Sequence, residues 1–589
     1  MNAQDAEPYI YADNAATTPL SPAALEAMMP FLTDAFGNPS GIHRVARQAG
    51  EALGAARARI AELLGADRAD EVYFTSGGSE SDNWVLRGAV QRFRDLYGSD
   101  ATPRIITSSI EHHAILHCCE ALEREGVAVT YLPVDEQGFV QVEDLEAALI
   151  ANEQAARAER VSACADAERT LDRTDAERTL DRSEAAGESA TCRPVATSIK
   201  DGGEHAASAT SHRAARKSGD CEIADGRHGE DDSAAPHPPA TALVSIMLAN
   251  NEVGTIEPIR ELATVVHRHG APFHTDAVQA VGHIAVDVRE LGVDALSLSA
   301  HKFHGPRGVG ALYLRDGFSI PSLIAGGAQE RGERAGTENL AGIAGMAAAL
   351  EEAVRSLARN AQRVSAARDE LVQHILASCK GVRLTGAPCA DAAGAVGGHA
   401  LTTLSFASAV AASGPIRTAA TSDHACAESA SSEARTGSEA NPAVAVVAAS
   451  ETTRDAVAIA AAPETNPVAT AVGASEANPD VSLPGIAAGR HTPDRLPSIA
   501  SFSCDNIDGE LLVVLLDRTG VAAATGSACS TGSTEPSHVL TAMGLSPSSA
   551  RGALRLSLSE AITREELDLL KQRIPAAIKR ASLMSGIGA

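Results

Sequence analysis

The stretch Ser299-Ala300-His301-Lys302-Phe303-His304-Gly305-Pro306 decides how the rest of the chain is read. The run before it, Ala295–Ser299, is rich in Leu and Ser and predicts a buried strand. Where that strand stops, a lysine follows a histidine just ahead of a Gly-Pro turn. A lysine in a partly dry pocket loses basicity and can form a Schiff base with an aldehyde cofactor. An isolated lysine here would read as a surface loop residue, so its neighbours matter.

About 25 residues upstream, His274-Thr275-Asp276-Ala277-Val278-Gln279 stands at another strand end. An aspartate there can pair with a protonated pyridine nitrogen, and that charge makes a ring an electron sink. Gln279 can hydrogen-bond a ring oxygen. By itself Asp276 also reads as a helix N-cap. Nearer the N-terminus, Phe74-Thr75-Ser76-Gly77-Gly78-Ser79-Glu80-Ser81 predicts a strand, a glycine turn, and a helix capped at or near Ser79. Free N–H groups and the helix dipole suit such a start to a phosphate. A phosphate cradle, a carboxylate for a ring nitrogen and a Schiff-base lysine, in that order, describe pyridoxal phosphate.

Around these motifs strands alternate with amphipathic helices, the pattern of an α/β fold with a mostly parallel sheet. Strands are expected at Glu71–Thr75, Arg104–Ser108, Val127–Leu132, Ala242–Leu248, Pro272–Thr275, Ala295–Ser299 and Val309–Leu314. Helices are expected at Ile42–Leu64, Glu80–Phe93, Ala114–Arg124 and Glu338–Ala377, the last with room for a kink. Two stretches break the pattern. Residues 151–240 hold the tandem repeat AERTLDRTDAERTLDR and then Ser/Ala/Gly/His-rich text; residues 390–495 are mostly Ala, Ser, Thr, Glu and Pro. Both lack the branched and aromatic residues that offset the entropy of ordering, so they read as disordered insertions, with some helix at the start of the first.

Of the 589 residues, 44% are hydrophobic, enough for a sizeable core, and the net charge is −27. That charge repels nucleic acid and anionic membranes, so neither is an expected partner. No basic segment leads into an apolar run at the N-terminus, and no apolar stretch is long enough to span a bilayer. Ten cysteines without framework spacing suggest reduced thiols in a cytoplasm.

Two further residues carry candidate chemistry. Cys529 lies in a run of Gly, Ser, Ala and Thr, the surroundings of an exposed reactive thiol rather than a packed one. Arg555 sits in the alternating stretch Ala553–Leu558, where a strand could aim its guanidinium at a carboxylate, although a surface strand arginine reads the same way. His113 and His117 have the i,i+4 spacing of a metal pair, but no second ligand cluster accompanies them and no metal is expected.

The chain resembles the group I cysteine desulfurases of the NifS/IscS type, within the class V aminotransferase-like enzymes of fold type I. The matching text, in the family's order, is YADNAATTPL, FGNPSGIHR, FTSGGSESDN, EHHAIL, ANNEVGTIEPI, HTDAVQAVG, LSAHKFHGPRGVGALY, ERAGTEN and TGSACSTGSTEPSHVLTAMG. The resemblance implies Lys302 as the Schiff-base lysine, His112 stacked on the ring, and Asp276 on the pyridine nitrogen. It places Asn251 and Gln279 at the ring oxygen, and Gly78, Ser79, Ser299 and His301 at the phosphate, with Thr337 reaching over from a second subunit of a homodimer. It assigns Asn38 and Arg555 to the substrate carboxylate and Cys529 to the attack on sulfur. The implied reaction turns L-cysteine into L-alanine and leaves a persulfide for a sulfur-acceptor protein, an iron–sulfur scaffold or a tRNA-thiolation protein. The alternatives are a selenocysteine lyase or related lyase, or a non-catalytic scaffold that binds acceptors. The implied layout has a large cofactor-binding domain from 16–150 and 241–375, and a small α+β domain from 1–15, 376–389 and 496–589. The insertions fall at 151–240 and 390–495.

Overall fold

A computed structural model describes residues 8–98, 101–162, 240–389, 494–526 and 535–585. Its centre is a seven-stranded sheet built from β2 (Val72–Thr75), β3 (Arg104–Ser108), β4 (Ala128–Leu132), β5 (Leu243–Ser245), β6 (Phe273–Asp276), β7 (Ala295–Ser299) and β8 (Gly310–Leu314). The spatial order is β2-β8-β7-β6-β5-β3-β4. Only the pairings of β8 are antiparallel; β7, β6, β5, β3 and β4 run parallel. β7 and β8 are buried at every position, so they read as continuous apolar runs interrupted by small residues rather than as an alternation.

Helices cover the sheet. Among them are α1 (Pro22–Leu32), α2 (Arg44–Leu64), α3 (Gly78–Tyr97), α4 (His113–Arg124), α5 (142–162), α6 (Ile259–Arg268) and α7 (Val288–Leu291). The α2 helix repeats apolar residues at helical spacing, and Leu53, Ala56, Ile60 and Leu64 enter the main core with Phe273 and Leu296. Each such leucine or isoleucine contributes roughly 1.5–3 kcal/mol by leaving water. Gly65 ends α2 in the left-handed region at φ 72°, where a side chain would also strike Asp287.

The helix expected at Glu338–Ala377 is α8, Leu340–Ser378, one continuous element of 39 residues with no break. Its first half packs Ile343 and Leu350 into the main core, and its second half packs Leu371 and Ile375 into another. That second core belongs to a three-stranded antiparallel sheet of β9 (Val382–Thr385), β10 (Ile499–Cys504) and β12 (Ala553–Ser557), with the helix Arg564–Met584 against it. The N-terminal strand β1 (Ile10–Tyr11) joins this region by pairing in parallel with β11 (Val521–Ala522). Cys504, at the end of β10, is buried, and burial pushes its thiol up to about 12.

Both expected insertions begin or end inside packed structure. The α5 helix carries through 151–162, where Asn152 Nδ2 donates to Thr241 Oγ1 at 2.9 Å, His269 meets Glu153, and Arg104 pairs with Glu159. At the other insertion's end, Arg495 is buried and donates to the carbonyls of Val253, Thr385 and Ala387. Ala/Glu/Arg composition alone could not separate a packed helix end from a solvated one. The rest of both stretches lies outside the described residues.

Candidate active site

The carboxyl ends of β6 and β7 and the loop after β2 meet at one edge of the sheet, the usual place for a ligand in an open parallel fold. Lys302 closes the short 3₁₀ turn Ala300–Lys302 directly after β7. Its Nζ donates to the carbonyl of Ala15 at 2.6 Å and of Ala16 at 3.0 Å. Gln279 Nε2 donates to the same Ala15 carbonyl at 2.9 Å, so the lysine and the glutamine converge on one atom of the N-terminal segment.

Asp276 ends β6 and is buried, with Oδ1 accepting the Val278 N–H at 2.9 Å. Burial pushes its carboxyl up to about 6, while that N–H and the Lys302 charge pull the other way. His112 caps α4, its Nδ1 accepting the Ala114 N–H at 3.1 Å, which leaves the ring proton on Nε2. Burial first, and then the Lys302 charge, lower His112 to about 4, so the ring is neutral at physiological pH. His301 is lowered to about 4 for the same two reasons, and its Nδ1 lies 3.1 Å from Thr17 Oγ1. Lys302 is thus the cation that Asp276, His112 and His301 all sense.

The helix after β2 starts one residue earlier than expected. Its N-cap is Gly77, which has φ 151° and no side-chain cap, and Ser79 lies exposed in the first turn. The amides of that turn therefore have no capping side chain, a natural seat for phosphate oxygens. A Cβ on Gly78 would fall 2.6 Å from Val278 Cγ2, so this turn packs directly on the segment after Asp276. Ser299, buried at the end of β7, has its hydroxyl 3.5 Å from where a Cβ on Gly77 would be. A buried acid for a ring nitrogen, an uncapped helix turn and a lysine between them fit pyridoxal phosphate.

Arg555, on β12, is buried. Its Nη1 donates to the carbonyls of Asn251 at 2.9 Å and Gly526 at 3.1 Å, and its Nη2 donates to Asp13 at 2.8 Å. Its Nε is buried with no hydrogen-bond partner, an unsatisfied donor that a carboxylate could take. Asn251 is half-buried and meets Arg555 through its main chain. Asn38 and Thr337 are exposed on loops, Asn38 accepting the Ser40 N–H, and no contact joins either of them to Lys302 among the described residues. Cys529 lies outside the described residues. The rings of His113 and His117 are 5.0 Å apart, and no group of three or more His, Cys, Asp or Glu is placed to hold a metal among the described residues.

Three contributors were not legible as site residues. Asp13 stands 542 positions from the arginine it pairs with. The Ala15 carbonyl is a backbone group with no sequence signature. Glu252 accepts the Ser537 hydroxyl at 2.6 Å and packs so close to Gly526 that a Cβ there would lie 2.7 Å from Oε2. Its only signal was an acid within the ANNEVGT run.

Residues 10–164, 203–464 and 480–570 match the aminotransferase class-V family. The chain belongs to that family. It is 32% identical to the cysteine desulfurase IscS of Clostridium botulinum over 98% of this chain and 96% of that one. Against the cysteine desulfurase of Cereibacter sphaeroides the identity is also 32%, with 98% of both chains covered. A solved NifS-like protein superposes with a TM-score of 0.59 at 26% identity, covering 97% of this chain and all of the other. Family and relatives together make this chain a pyridoxal-phosphate-dependent cysteine desulfurase of the NifS/IscS type. No helix among the described residues is long and apolar enough to cross a membrane.

Proposed function

We propose that Lys302 is the cofactor-bearing lysine and that Cys529 takes the sulfur of L-cysteine as a persulfide. The observation that carries the first half is the placement of Lys302 at the centre of Asp276, His112 and His301. Pyridoxal phosphate, when bound, supplies a ring that takes up the electron pair left as the substrate α-carbon loses its proton. Asp276 would hold the ring nitrogen's proton, Gln279 and Asn251 would flank the ring oxygen, and the first turn of α3 with Ser299 and His301 would hold the phosphate. Lys302 is the base for the α-proton, since its amine is the strong base nearest the convergent groups. Arg555 binds the substrate carboxylate through its unpartnered Nε, with Asn38 assisting from its exposed loop.

The Cys529 thiolate then attacks the substrate sulfur. The carbon–sulfur bond breaks, a sulfur–sulfur bond forms on Cys529, and the carbon skeleton leaves as L-alanine once it is protonated, so no outside oxidant is needed. The persulfide passes to a cytoplasmic acceptor protein of the iron–sulfur or tRNA-thiolation kind. Thr337 is exposed ahead of α8, as expected if it completes the phosphate site of a second copy in a homodimer. Purified Cys529→Ser should keep the cofactor's visible absorbance and its response to cysteine while forming no protein persulfide. Persulfide found by mass spectrometry on Cys118 or Cys504 in the parent would overturn the assignment of Cys529.

A further inference from the structure

Beneath Asp276 lies a second buried acid that the proposed chemistry does not use. Asp82, one turn into α3, is 1% exposed, and its Oδ1 has no hydrogen-bond partner. That oxygen is 3.9 Å from His274 Nε2. His274 precedes Asp276 by two residues on β6, so both side chains leave the same face of the sheet. Its ring bridges the flanking strands, Nδ1 2.9 Å from Ser245 Oγ on β5 and Nε2 2.9 Å from Ser297 Oγ on β7. Two hydroxyls satisfy a neutral imidazole, and full burial lowers the ring to about 3. His274 therefore offers Asp82 no positive charge.

Nor does any other group facing it. Asp276 approaches from β6, Ser297 from β7, Glu111 from the start of α4, and Cys118 from within α4. Burial holds the Glu111 carboxyl up at about 8 and the Cys118 thiol at about 11, so both are protonated at neutral pH. Burial and the nearby Asp276 charge likewise push Asp82 well up. Two interacting carboxyls in one dry space do not both ionise, and the nearer cation selects which one does. Lys302 faces Asp276.

We propose that Asp82 is a positioning residue that stores one proton in a buried Asp82–Ser297–His274 network, and that this neutral acid leaves the negative charge on Asp276. The carboxyl O–H donates to Ser297 Oγ, the Ser297 O–H donates to His274 Nε2, and the ring's Nδ1–H donates to Ser245. The inference rests on the assignment of Asp276 to the pyridine nitrogen and explains how that carboxylate keeps its charge in a buried site.

The first test uses infrared difference spectra of the cofactor-free full chain at neutral pH, parent minus Asp82→Asn, a variant that keeps the residue's shape. A positive carbonyl band of a protonated carboxylic acid is expected. A positive pair of carboxylate bands in its place would overturn the proposal. The second test titrates pyridoxal phosphate into each variant. Asp82→Asn should bind within about threefold of the parent, while Asp82→Ala, which strands Ser297 and His274, should lose roughly tenfold or more. Equal loss in both variants would also overturn it. Asp276→Asn serves as the separate control: unchanged cofactor affinity and spectrum there would instead remove Asp276 from the ring nitrogen, whatever the infrared result for Asp82.

Discussion

Arg555 and Asp13 are joined by an ion pair of 2.8 Å that fixes the guanidinium plane while leaving Nε buried and unpartnered. A fork held on two sides by Asp13 and by the carbonyls of Asn251 and Gly526 presents its remaining donor in one direction. Arg555→Lys places a single ammonium where four interactions converge. The KM for L-cysteine should rise by about 10–100-fold, the loss expected for a charged hydrogen bond, while the bound cofactor's spectrum stays. Steady-state kinetics at saturating cofactor checks this. An unchanged KM would remove Arg555 from substrate binding.

Lys302→Ala should abolish alanine release and the visible absorbance of the bound cofactor. The fold should persist, because the lost contacts are two hydrogen bonds to the carbonyls of Ala15 and Ala16 at the rim of the site. Circular dichroism and cysteine turnover test the two halves separately. Residual turnover of more than a few per cent would point to another lysine.

His304 Nε2 meets Glu560 at 2.8 Å, tying the residue two places after Lys302 to the segment leading into the C-terminal helix. Burial alone would raise Glu560, but the hydrogen bond and charge of His304 overcome it and hold the carboxyl at about 2. Burial alone would lower His304, but Glu560 raises it above 6.5. The carboxylate's contribution is complete above its ordinary 4.5 and is lost as pH falls through about 2. The imidazolium's contribution is complete below 6.5 and is lost as pH rises through its raised value. Glu560→Gln should therefore cost the most stability between those limits, about 1–3 kcal/mol, and less in strong acid or alkali. Thermal melts across pH would show a flat loss if the pair were not ionic.

Removing 163–239 should leave thermal stability and cysteine turnover near those of the parent, because long connections add only slowly to closure entropy. Removing 151–240 should cost roughly 2–4 kcal/mol more, since it deletes the buried Asn152 bond to Thr241 and the partners of Arg104 and His269. Denaturant melts of the two deletions make the comparison. Equal stability would mean that the end of α5 contributes nothing.

Much of the fold was legible because its signals are local. Ala295–Ser299 is a strand with the expected bounds, and α2, α4 and α8 start within two residues of where their apolar periodicity begins. The order glycine turn, aspartate, lysine was readable as cofactor chemistry because each residue stands at the end of its own strand. Parallel strands bring such ends to one edge of the sheet. The N-cap was misplaced by a residue pattern that favours serine, whereas backbone packing against Val278 puts glycine there.

The amino-acid sequence by itself determined the class of fold, the family and the lysine, acid and cysteine of the proposed chemistry. These are properties of short segments and of the types of side chain they hold. Tertiary structure alone decided that Ala15 offers one carbonyl to both Lys302 and Gln279, that Asp13 steadies Arg555, and that His274 stays neutral between two hydroxyls above an unpartnered Asp82. Contacts across hundreds of residues leave no periodicity behind. The protonation of a buried group depends on the water it loses and the charges it meets, and both exist only after the chain has closed around it.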